Sequence, residues 1–194
     1  MQQAWSSLLQ LWIRIGTHIF PPVIHPMLVH FPIVLLYGSV LTGLLGLVWR
    51  SPDRFLDRSS FWLLVLGFIA GIAAAAAGVL AEQWVSWTPT TIALLSTHQI
   101  YAVFTGVFTV LAILSRVAAR YPRAHEGRSG WSLGRSGRGR QTILSTTFTI
   151  AAVVMITLTA SIGGTMVYQY GVGVHGLTFH PLNPSAVPGS LSKP

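Results

Sequence analysis

The chain has 194 residues, of which 52% are hydrophobic and only 8% charged, where soluble domains carry about 25% charged residues. That composition excludes a soluble core, and the absence of cysteine excludes disulfides, thiolate metal sites, covalent haem attachment and a cysteine nucleophile. The formal charge of +8 is not a nucleic-acid signal, because the arginines gather in loops between apolar runs. The four acids form no carboxylate pair, which argues against a hydrolase or transferase.

Residues 1–20 lack the basic start, apolar centre and small-residue cleavage site of a secretory signal. They read instead as an amphipathic helix. Trp5, Leu8, Leu9, Trp12, Gly16 and Ile19 recur at helical spacing, with Gln3, Ser6, Ser7, Gln10, Arg14 and Thr17 on the other side. Such a helix lies in the membrane interface or packs on a partner subunit. Pro21-Pro22 then breaks the chain.

Four apolar runs follow, at about 24–49, 61–81, 92–115 and 143–168. Each is long enough to span a bilayer, which takes roughly 20 residues. The expected fold class is therefore an all-α membrane protein. A four-transmembrane-helix bundle occupies 21–174, preceded by the interfacial helix 1–20 and followed by a tail, 175–194. The first loop, 50–60, carries Arg50, Arg54 and Arg58, and the third, 116–140, carries seven arginines. The second loop, 82–91, has no basic residue, and the tail has only Lys193. By the positive-inside rule the first and third loops are cytoplasmic, and both termini lie outside. The Arg/Gly/Ser-rich segment of the third loop reads as a topogenic loop touching anionic lipid.

The unusual residues then fall near the outer face. His25 and His30 open the first run in His25-Pro26-Met27-Leu28-Val29-His30-Phe31-Pro32. His98 enters early in the third run, behind a Thr88 cap and Pro89. Intramembrane ionisable residues are functional candidates by default. His25 and His30 are five residues apart and diverge by about 140° on a regular helix, so they do not share a face. With Pro26 at the first helical position, His25 is expected in the preceding cap. It would lie about 7.5 Å shallower than His30, with His30 turned into the bundle. His30 and His98 are thus the expected axial pair of one b-type haem, with His25 as an exchange candidate. Small residues would make room for a porphyrin: Gly67, Gly71, Ala75 and Gly78 in the second run, Gly163 and Gly164 in the fourth. Close helix packing is the alternative use of that stripe. Thr97, Gln99 and Tyr101 are candidates for tuning the site, and Glu82 is either a quinone-site acid or a snorkelling residue.

The first motif resembles the opening of a bacterial membrane-protein family, domain of unknown function 2231. The resemblance continues in His98, Gly163-Gly164, Val167-Tyr168 and Gly171-Val172-Gly173-Val174. It implies a four-helix membrane domain, often encoded beside respiratory or redox proteins, and gives fold more than chemistry. The functional expectation is a haem b subunit for respiratory or redox electron transfer, with quinol and a redox partner or larger membrane complex as candidate partners. Two alternatives stand beside it. One is an outer-face copper site built from His25, His30, His98 and Met27. The other is a structural subunit of a larger complex.

Overall fold

The computed structural model describes residues 2–19, 23–49, 55–120 and 133–174, with the side chains of 2–5, His18, 119–120 and 133–142 left aside. The expected break at Pro21-Pro22, Arg50 and Arg54, residues 121–132 of the arginine-rich loop, and the tail from His175 onward lie outside the described residues. Within them the chain is helical and contains no strand: α1 (Gln2–Ile19), α2 (Ile24–Leu28), α3 (His30–Val48), α4 (Phe55–Ala81), a 3₁₀ turn (Glu82–Trp84), α5 (Pro89–Arg120) and α6 (Leu133–Tyr170). Four segments are long and apolar enough to cross a membrane: Ile24–Val48, Phe55–Trp84, Pro89–Ala118 and Ile143–Tyr170.

These helices extend past the apolar runs. The residues 55–60, expected in the first loop, form the opening turns of α4, and Arg116, expected in the third loop, sits inside α5. Hydrogen bonding continues past the last apolar residue because a helix interior satisfies its own backbone, whatever the side chains. The start of α5 follows from Thr88. Its hydroxyl accepts the Thr91 N–H (3.3 Å), while the Thr91 hydroxyl accepts the Thr88 N–H (2.9 Å), a reciprocal cap with Thr in place of the usual Glu. At the far end of α6, Gly171 takes φ 64°, a left-handed conformation that favours glycine, and its N–H closes on the Val167 carbonyl.

The first span is interrupted. Pro32 has no N–H to give the Leu28 carbonyl, and the helix is broken at Val29, between α2 and α3. The helical turn of the backbone persists through the break, with Val29 N–H on the His25 carbonyl (3.1 Å) and Ile33 N–H on the Val29 carbonyl (3.4 Å). His25 therefore lies within α2 rather than in a cap before it, a correction to the role expected of Pro26.

Two antiparallel hairpins make the bundle. α3 packs along α4 and α5 along α6, and the hairpins join through α3 on α6 and α4 on α5. The spans thus follow one another around the bundle, with the first diagonal to the third. Every span contributes one residue to the buried centre: Leu36, Leu64, Ala112 and Ile156. Around that centre the usual polarity is inverted. Ser39, Ser60, Thr105, Thr109, Ser145, Thr149 and Thr159 are buried, whereas Leu41, Trp62, Ile69, Val103 and Leu114 point outward. Lipid accepts large apolar side chains, so the interior is left to small residues that let backbones approach and to hydroxyls that bond their own helix. Thr109 and Thr149 each donate to the carbonyl four residues back, at 2.7 Å. No buried polar side-chain atom among the described residues lacks a partner.

Gly67 shows the closeness of packing. A Cβ there would stand 3.1 Å from a Leu36 methyl. α1 meets α4 where buried Gly16 faces Leu80, and it leaves Leu8, Leu9, Leu11, Trp12, Ile15 and Ile19 exposed.

Candidate functional site

Two polar clusters lie at opposite ends of the bundle. At the first, α2 and α5 bring His25 and His98 together. Their ring centroids are 6.5 Å apart and their planes cross at 75°. The His25 Nδ1 is 2.8 Å from the Ala74 carbonyl of α4, and the His98 Nδ1 is 2.9 Å from the Thr159 carbonyl of α6. A carbonyl can only accept, so both Nδ1 atoms carry the proton. In the neutral ring this leaves Nε2 as the lone-pair nitrogen on each histidine, the form in which a histidine ligates a metal through Nε2.

Each ring also rests on a glycine one turn beyond its carbonyl. A Cβ on Gly78 would sit 3.2 Å from both Nδ1 and Cε1 of His25, and one on Gly163 would sit 3.3 Å from Cε1 of His98. The two hairpins therefore repeat one arrangement: a histidine early in the leading helix, a carbonyl in the returning helix, and a glycine four residues after it.

His30 is placed otherwise than expected. It is exposed, on the face that carries Met27, Phe31 and Val34. His25 lies on the face of buried Pro32, Leu36 and Ser39, since seven residues nearly complete two turns. The structure thus opposes His98 with His25, and His30 takes no part in that pair. Met27 is 64% exposed, and among the described residues no three His, Cys, Asp or Glu side chains gather as a metal set. Of the four residues expected around copper, His30 and Met27 are exposed while His25 and His98 form the pair.

The remaining candidates disperse. Gly71 faces span one, with Pro32 Cβ 4.0 Å from where its Cβ would be, and nothing lies within 4 Å at Gly164. Ala75 points outward. Thr97 bonds its own helix, and Gln99 donates to the Glu82 carboxylate at 2.9 Å, which ties span two to span three beside the histidine pair. His175 lies outside the described residues.

A family model described as "Predicted membrane protein (DUF2231)" matches residues 21–176. The chain belongs to this family. The DUF2231 match covers all four spans and both histidines of the pair, and it begins after α1. Comparison of this DUF2231 chain with curated proteins and with solved structures gave no match.

The opposite end holds the second cluster, which sequence reasoning missed. The Arg116 Nε donates to Ser145 Oγ (2.6 Å) and its Nη1 to Ser60 Oγ (2.9 Å). Ser60 and Ser39 exchange hydroxyl-to-carbonyl bonds at 2.7 and 2.8 Å. Gly43 lets the Ser60 hydroxyl approach, since a Cβ there would stand 3.0 Å from Ser60 Oγ. One arginine of span three thereby bonds to spans two and four, and through Ser60 the network reaches Ser39 of span one. The signal in the sequence was faint: Arg116 lies seven residues after Thr109 and four after Ala112, on the buried stripe of α5.

Proposed function

We propose that this DUF2231 protein holds a b-type haem between His25 and His98 and serves as an electron-transfer subunit of a membrane redox chain. The observation that carries the reading is the facing pair of imidazoles, each with its Nδ1 fixed on the neighbouring helix. Two imidazoles bound opposite each other on one ion, with bonds of about 2 Å, have centroids roughly 6 Å apart, close to the separation here. A haem iron takes two axial ligands, whereas a protein-only site needs three or four. Among the described residues the pair supplies two ligands and no third. The axial role thus passes from His30 to His25. Haem supplies one-electron exchange when bound. The chain's own residues orient the rings, hold their tautomer and surround them with helix.

Arginine distribution supports an orientation with the histidine pair near the outer face and both termini outside. The other end carries serines and Arg116 in place of a second histidine pair among the described residues, so electrons would enter and leave on the histidine side. A quinol is the candidate donor, and a redox partner or larger complex the candidate acceptor.

An oxidised-minus-reduced visible spectrum of the purified chain, with haem extraction, tests this. The wild type is expected to show a low-spin b-type spectrum. His25→Ala and His98→Ala are each expected to lose the haem or leave a high-spin, carbon-monoxide-binding form, while His30→Ala is expected to keep the low-spin spectrum. Loss with His30→Ala and retention with His25→Ala would reverse the two roles. A wild type with bound copper, or with neither haem nor metal, would refute the reading.

A further inference from the structure

The crossing of the two rings is fixed by more than the hydrogen bonds. A single Nδ1–H···O contact holds one atom of a ring and leaves the ring free to swing about that contact. A second restraint is needed to set its plane, and the structure provides one on each hairpin. The Nδ1–Cε1 edge of His25 lies over Gly78, and that of His98 over Gly163. Both glycines stand inside long helices, α4 and α6, whose backbones cannot yield without breaking their own bonding. The positions where a Cβ would fall are 3.2 and 3.3 Å from ring atoms, closer than side chains normally approach. The same carbonyl-and-glycine seat recurs on both hairpins, and the resulting planes cross at 75°.

Resting on the haem reading above, we propose that Gly78 and Gly163 are positioning residues that hold His25 and His98 with crossed planes, making the bound haem a low-spin centre with near-perpendicular axial imidazoles. In low-spin ferric haem, parallel imidazole planes act on the same iron orbital and split the pair that shares the unpaired electron. Crossed planes act on both alike and leave them nearly equal in energy. The first arrangement gives a rhombic three-line electron paramagnetic resonance spectrum. The second gives a highly anisotropic spectrum dominated by one low-field feature. Axial-ligand geometry of this kind is one of the protein's means of tuning a haem.

The experiment is the resonance spectrum and midpoint potential of the oxidised, purified full chain beside three variants. The wild type is expected to give the single low-field feature. Gly78→Ala and Gly163→Ala are expected to retain haem while the feature moves toward a rhombic pattern and the potential shifts. Gly106→Ala, where nothing lies within 4 Å of the added Cβ, is expected to match the wild type. A rhombic wild-type spectrum overturns the crossed-ring assignment and leaves the haem reading standing. Wild-type spectra and potentials in both glycine variants overturn the positioning role, and so does failure of both to accumulate, which assigns the glycines to packing. A purified protein without haem overturns the cofactor reading and this inference with it.

Discussion

Arg116 is the most informative residue to perturb, because its guanidinium reaches serines of two other spans. Its total contribution has no fixed sign: Arg116 is half-buried, and replacing an ion withdrawn from water by an apolar side chain is often neutral or stabilising once desolvation is relieved. The pairwise terms are better determined. Ser145 and Ser60 still donate to carbonyls when the arginine is gone, at 3.3 Å to Ala112 and 2.7 Å to Ser39, so neither hydroxyl is orphaned. What disappears between Arg116 and Ser145 is one short charge-assisted bond of 2.6 Å. Interhelical hydrogen bonds in membranes average about 0.6 kcal/mol and reach about 1.7 kcal/mol. A bond this short to a charged donor belongs near the upper figure. A double-mutant cycle of Arg116→Met and Ser145→Ala, read by denaturant unfolding in mixed micelles, should therefore give a coupling energy of about 1–1.7 kcal/mol. Arg116→Lys should recover little of it, since an ammonium lacks the fork that reaches Ser60 and Ser145 together. A coupling indistinguishable from zero would show that the two groups do not meet, and the tie between spans three and four would fall.

Gly67→Ala should destabilise the bundle by about 1–3 kcal/mol in the same unfolding assay, because Leu36 beside it is 1% exposed and has nowhere to retreat. Unchanged stability would refute the close approach of spans one and two. A topology reporter fused after Lys193 should be active outside the cytoplasm, and activity inside would reverse the orientation drawn from the arginine-bearing loops.

Span number and class were legible because the bilayer sets a length that any chain must meet, and four apolar runs meet it. The Thr88 cap and the glycine-rich end of the last span were legible for a local reason, since both depend on backbone chemistry within a few residues. The face of each span was harder to read. In a helix apolar on all sides, His25 and His30 carry no marker of which one turns inward. What separates them in the structure is the buried stripe Pro32, Leu36, Ser39, on whose face His25 stands and His30 does not. Arg116 was assigned to a loop because it follows an apolar run, though its register with Thr105, Thr109 and Ala112 pointed inward. The Ala74 and Thr159 carbonyls could not be found from sequence at all. Every residue carries a carbonyl, and only the fold selects which one a histidine meets.

The recurrence of one seat on both hairpins has an architectural meaning. Spans one and three run in the same direction and sit diagonally, as do spans two and four, so a rotation by half a turn about an axis along the membrane normal exchanges the halves. That axis passes between His25 and His98. A protein made of a single hairpin, pairing with its own twin, would set one histidine against its copy in the same way. The stretch Val85 to Thr88, non-helical between the halves, would then be the stitch that turned a symmetric pair into one chain and freed each half to change alone: Ala74 against Thr159, Ser60 against Ser145, and an arginine on one side only.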